Sequence, residues 1–134
     1  MAIYGFGAYY DTDMSAQFKD ESLVGVGWAE TDAPDLHCFV RQLKVGDIVY
    51  LKSFSPSSPN LGIKGIGIIS DSVIRNADDT GNTVKIGRNV KWIVNEDFEV
   101  PKPKGKGNVR ANTAYEEFHP KLQEEIIRRI VSKT

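Results

Sequence analysis

Sulfur and imidazole are scarce in this chain: its 134 residues include one cysteine, Cys38, and two histidines, His37 and His119. A lone cysteine closes no disulfide within the chain, and the residues offer neither a His-x-x-x-His pair nor a Cys/His cluster for a transition metal. No metal or cofactor is therefore expected, and a reducing compartment fits best. No apolar run approaches the roughly 18 residues of a membrane span, and Met1 to Tyr10 lacks the basic flank and unbroken apolar run of a signal peptide. A cytoplasmic protein that does not enter the membrane is the expectation. Charge of one sign is missing too: 17 basic against 18 acidic residues give a net charge of -1. The total excludes no class of partner, and only the placement of charge can be informative.

With 40% hydrophobic and 26% charged residues the chain has the balance of a folded domain, not of a disordered tail. Its length suits one domain, residues 1 to 134, which can bury about two thirds of the unfolded surface. No repeat or long linker divides it.

The segments predict an α+β fold dominated by strands. Residues 2 to 10, aromatic and glycine-rich, read as an opening strand closed by the turn residues Asp11 to Asp13. Ser15 to Glu21 suits a short helix with Phe18 inward, and Leu23 to Trp28 alternates bulky and small residues as a strand would. Pro34 opens a helix near residues 33 to 43, with Leu36, Phe39, Val40 and Leu43 at helical spacing. Val45-Gly46-Asp47 then turns into a strand over Ile48 to Phe54. Its side chains divide into Ile48, Tyr50, Lys52 and Phe54 on one face and Val49, Leu51 and Ser53 on the other. A Ser/Pro loop over residues 55 to 60 precedes a glycine-punctuated strand, Leu61 to Ser70. Asn76 to Asn82 reads as a hairpin tip, followed by strands at Thr83 to Ile86 and Asn89 to Val94. Pro101 to Gly107 is a surface loop, and Pro120 to Val131 an amphipathic helix.

Searches for catalytic chemistry end early. His37 lies about 100° from Cys38 around the helix, so Cys38 reads as a buried or half-buried structural residue near Phe39 and Leu43. The glycine patterns at Gly5-Phe6-Gly7, Gly25-Val26-Gly27 and Gly62 to Gly67 do not continue as phosphate-loop motifs and sit inside strand patterns. Pro34-Asp35 is a pair that some nucleases use, but the residues two before Lys52 and Lys64 are Tyr50 and Gly62, so the second metal-binding carboxylate is missing. The expectation is binding, not catalysis.

Aromatic and basic residues remain. Tyr9, Tyr10, Trp28, Tyr50, Phe54 and Trp92 lie on or beside predicted strands, where rings either line a pocket or fill a core. Lys102, Lys104, Lys106 and Arg110 form a basic run without intervening acids, either a phosphate-tracking arm or a solvated loop.

From Leu23 to Ser70 the order of features is familiar: Val26-Gly27-Trp28, the Pro34-led helix, Lys44-Val45-Gly46-Asp47-Ile48-Val49-Tyr50-Leu51-Lys52, then Ile63-Lys64-Gly65-Ile66-Gly67-Ile68-Ile69. This succession, about a third of the chain, resembles the PUA-like superfamily, particularly its EVE-type members and related modules found beside nucleases and restriction enzymes. The resemblance implies a small curled, mostly antiparallel β-barrel with peripheral helices, and a pocket that receives a modified or extruded base. It implies Trp28 at the pocket wall and Lys52 and Lys64 near its rim.

Together these readings predict a nucleic-acid-binding module, for DNA or RNA, linked to restriction or RNA processing with any catalysis supplied by a separate protein. Tyr9, Tyr10, Trp28, Lys52, Phe54, Lys64 and Trp92 would bind the base, and Lys102, Lys104, Lys106 and Arg110 the phosphates. The alternatives are a protein-interaction module, such as an inhibitor or adaptor on the same scaffold, and a small enzyme built around Cys38, His119 or the aspartates. A pI of about 6.1 leans toward the adaptor, since nucleic-acid domains often lie above about 9.

Overall fold

The computed structural model describes residues 1–10, 12–103 and 109–133. Its centre is a seven-stranded, mostly antiparallel sheet in an α+β fold. The strands are β1 (Ile3–Gly7), β4 (Leu23–Val26), β5 (Ile48–Ser53), β6 (Asn60–Asn76), β7 (Ile86–Val94), β8 (Phe98–Pro101) and β9 (Ala114–Glu116). The pairing order is β4-β7-β6-β5-β1-β9, with β8 joined to β6 beside β7. β1 and β5 are parallel, and the order runs open from β4 to β9. A separate ribbon pairs β2 (Tyr9–Tyr10) with β3 (Thr12–Asp13). Four helices complete the fold: α1 (Ser15–Asp20), α2 (Pro34–Gln42), α3 (Ala77–Thr80) and α4 (Pro120–Val131). Among the described residues, no helix is long and apolar enough to cross a membrane.

The alternation of β5 sorts its side chains between two cores. Val49 and Leu51 join Phe6, Phe18 of α1, Val40 of α2 and Leu23, Val24 and Val26 of β4. Ile48 and Tyr50 join Ile63, Val94, Tyr115 and the α4 residues Leu122 and Ile126. The period of two thus places α1 and α2 on one face and α4 on the other, and where the strand is covered on both faces, from Ile48 to Leu51, it is apolar.

The turn before β5 is held by Asp47, buried at 2% exposure, whose carboxylate accepts from the backbone N–H of Lys44 at 2.8 Å and of Ala2 at 3.2 Å. Gly46 meets the turn's left-handed requirement at φ 94°. The C-terminal carbonyls of α2 fall to Arg88, whose guanidinium donates to the oxygens of Val40 and Leu43 and, across β6, to that of Asp71.

Several boundaries differ from expectation. The opening strand stops at Gly7, and Tyr9 and Tyr10 turn away into the ribbon. The two strands expected over residues 83 to 94 are one, because Gly87 and Arg88 keep the ladder to β4 intact. The hairpin tip is a single helical turn, capped by Asn76 and ended by a left-handed Gly81. Short β8 and β9 carry too little periodicity to be foreseen. Cys38 is a correction: it is exposed on α2, while His37 is buried at 4% exposure and its Nε2 meets the Trp28 carbonyl at 2.6 Å. The helix is rotated so that this backbone contact, not the thiol, faces inward.

Gly25 of β4 lies opposite Gly87 of β7. A Cβ on Gly25 would collide with the Ile86 carbonyl oxygen and come within 2.9 Å of the Gly87 Cα. Gly25→Val is expected to lower stability by about 1–3 kcal/mol or more, measured as a shifted urea midpoint with an unchanged m value.

Candidate functional site

β1, β5 and β6 end on a cavity of about 310 Å³ bounded by Gly7 to Tyr9, Leu51 to Phe54, Asp13, Ser15, Lys64, Ala111 and Thr113. Four residues expected at a ligand site meet there: Tyr9, Lys52, Phe54 and Lys64. The sheet explains how. Gly7 and Lys52 are register partners in the parallel β1–β5 pair, which sets the lysine against the glycine. Between β5 and β6 the pairing steps from Leu51↔Gly65 to Lys52↔Ile63, so Lys64 is the extra residue of a bulge. A bulge re-aims its side chain, and Lys64 reaches across to the ribbon.

The two lysines stand in different electrostatic states. Lys64 Nζ donates to Asp13 Oδ2 at 2.6 Å, and the Ser15 N–H donates to Asp13 Oδ1 at 2.9 Å. Burial pushes the Asp13 carboxyl up, but the hydrogen bonds from Lys64 and Ser15 outweigh it and hold the group down at about 2. Lys52 is half-buried, and burial lowers its ammonium below the ordinary 10.5. No hydrogen bond or ion pair engages Lys52 among the described residues. A Cβ on Gly7 would stand 3.3 Å from both Cε and Nζ of Lys52, so the absent side chain leaves the space the ammonium occupies.

The aromatic wall comes from two different elements. Tyr9 is 75% exposed on the ribbon, and Phe54 is half-buried just beyond β5. Lys102 approaches from the loop after β8, its Nζ 4.2 Å from the Phe54 ring centroid and donating to the Ser55 carbonyl. This cation–π contact places a further positive group against the ring.

Comparison with known proteins yields no identity. The chain matches no family model and no curated protein. The site therefore stands on its geometry.

The other expected site residues lie elsewhere. Trp28 is 53% exposed at the end of β4 and is not among the residues lining the cavity. Tyr10 points away, its hydroxyl donating to the Thr83 carbonyl, and Trp92 donates its indole N–H to the Phe18 carbonyl at 3.1 Å. Both rings pack against the core that contains Phe18. Arg110 is a correction to the phosphate-binding set: it is buried at 7% exposure and its guanidinium donates to both oxygens of the buried Glu117. Lys104 and Lys106 lie outside the described residues. Sequence reasoning missed Gly7, Asp13, Ser15 and Thr113 as lining residues: Gly7 lay inside the expected opening strand, which in fact ends there, and Asp13 read as a turn residue.

A larger hollow of about 540 Å³ between β8 and α4 takes in Lys102, His119 and Glu125. It gathers no Phe, Tyr or Trp among the described residues. His119 there serves as the N-cap of α4, its Nδ1 accepting from the Lys121 N–H at 3.2 Å.

Proposed function

We propose that the protein is a nucleic-acid-binding module of the PUA-like, EVE-type kind, which captures a base, modified or unmodified, in the cavity between the ribbon and the end of β5. The observation that carries this reading is the convergence of two aromatic rings, Tyr9 and Phe54, with Lys52 and Lys64 in one recess. Its volume lies at the small end of ligand sites, about 300–1,000 Å³, which suits one planar ring. The rings supply stacking faces; Lys102, against the Phe54 ring, with the lysines that follow it in sequence, supplies attraction for a phosphate backbone. The role is capture in a reducing cytoplasm, with any cleavage carried out by a separate protein.

Fluorescence anisotropy with labelled single-stranded oligonucleotides over a salt series tests the reading. Stacking contributes about 1–3 kcal/mol per base, so Phe54→Ala, confirmed folded by circular dichroism, is expected to weaken binding roughly tenfold or more with little change in salt slope. Lys102→Ala is expected to weaken all sequences alike and flatten the slope by about 0.7. If the wild-type chain binds no oligonucleotide at low salt, the nucleic-acid reading falls and protein interaction takes its place.

A further inference from the structure

Lys52 is the one feature of the cavity that base stacking leaves unexplained. Strand β5 must deliver an apolar residue or a neutral polar one to a half-buried site at no electrostatic cost, yet it delivers an ammonium. Lys64 beside it is neutralised by Asp13 at 2.6 Å, whereas no acid or carbonyl engages Lys52 among the described residues. The cavity lining thus holds two cations and one anion. Gly7 keeps open the space beside the ammonium, since a Cβ there would press on both Cε and Nζ at 3.3 Å. A half-buried, unpaired charge destabilises the free protein, and a ligand anion would remove that cost.

We propose that Lys52 is an anion receptor inside the cavity, so that the captured unit is a planar ring carrying one ionised phosphate or carboxylate and not a neutral base. The inference rests on the base-capture reading for the ring and on Lys52 for the charge. A terminal nucleotide phosphate and a base with an acidic substituent share this chemistry, and either would bring its charge to Lys52 inside the recess, whereas the backbone phosphates of an internal nucleotide would lie outside it. The burial that lowers the Lys52 ammonium agrees with a group that gains most when an anion arrives.

Isothermal titration calorimetry of the whole chain tests this with the common ribonucleosides, their monophosphates, and cytidine carrying a carboxylate on its base. A charge-assisted hydrogen bond predicts that at least one anionic compound binds about tenfold or more tighter than its neutral parent. Preference for the monophosphate points to a chain end, and preference for the carboxylate to a modified base. Lys52→Met is expected to erase the preference while leaving the melting temperature at or above that of the wild type, because a structural lysine would lower it. Equal binding of charged and neutral compounds, no binding of any anionic one, or a preference that survives in Lys52→Met would overturn the inference. Should Lys52→Met not fold, the wild-type comparison of charged with neutral compounds still decides. The two proposals separate cleanly. Monophosphate binding without oligonucleotide binding sinks only the nucleic-acid reading, and oligonucleotide binding without charge discrimination sinks only the anion receptor.

Discussion

Glu117→Ala is expected to lower the unfolding free energy by about 3–5 kcal/mol, the cost of breaking a buried ion pair from one side. Glu117 is 1% exposed. Its Oε1 accepts from Arg110 Nε at 3.0 Å and from the Tyr50 hydroxyl at 2.7 Å, and its Oε2 accepts from Arg110 Nη2 and from the His119 N–H at 3.0 Å. The Tyr50 proton is thus committed to the carboxylate, so the Tyr115 hydroxyl, 2.8 Å away, donates to the Tyr50 oxygen. One side chain thereby ties β5, the chain just after β9, the turn at Val109–Ala111 and the N-terminus of α4 into a single unit. A domain of this size has about 5–15 kcal/mol in total, so the variant stands near the edge of folding. Urea denaturation measures the loss. Glu117→Gln, which keeps the shape and an acceptor but not the charge, is expected to lose less. A loss under about 1 kcal/mol for alanine would show that the network is not a stabilising element.

Alkali is expected to unfold the protein through the same cluster. Burial, reinforced for Tyr50 by the neighbouring Tyr115 and Glu117, holds both Tyr50 and Tyr115 well above the ordinary value of 10. In the unfolded chain both ionise near that value, so above it the unfolded state has released protons that the fold retains. Stability present below pH 10 is therefore lost as pH rises, by about 1.4 kcal/mol per unit for each tyrosine, or about 5 kcal/mol for the pair across about two units. Tyr10, pushed up to about 12 mainly by burial, acts in the same direction, weakened by its partial exposure. Lys52 opposes them, since its lowered ammonium makes stability rise with pH up to its ordinary 10.5. Ellipticity is expected to fall in one step with that part of the tyrosinate absorbance which Tyr115→Phe removes, since the exposed Tyr9 ionises without unfolding. In Tyr115→Phe the dependence contributed by the pair is expected to halve; the Tyr115 part of the absorbance appearing before the loss of structure would refute the account.

Both predictions concern residues whose importance the sequence hid. Arg110 sits beside three lysines and reads as one more surface cation, yet Glu117, seven positions later, pairs with it in the core. Tyr50 alternates correctly for burial, but nothing local shows that its hydroxyl has a charged partner 67 positions away. The same limit explains Cys38 and His37: helical spacing gives the relative angle between them, whereas the absolute rotation of α2 follows from what it packs against. The cavity was legible in part for the opposite reason. Tyr9, Lys52, Phe54 and Lys64 occupy strand ends or a bulge, where an aromatic or charged residue stands out from the apolar strand pattern beside it. Trp28 and Trp92 carry the same kind of ring, but large rings also fill cores and cover sheet edges, and composition does not separate these uses.

By itself the sequence determined the α+β class, the three main helices, the two-faced alternation of β5 and the glycine-aspartate turn that starts it, because hydrophobic period and turn chemistry act over a few neighbouring residues. Tertiary structure alone decided the parallel pairing of β1 with β5, the open strand order, the burial of Arg110 on Glu117, and the contrast between a paired Lys64 and an unpaired Lys52. Those outcomes depend on which distant segments become neighbours, and a lysine carries no local sign of whether an acid will fold against it.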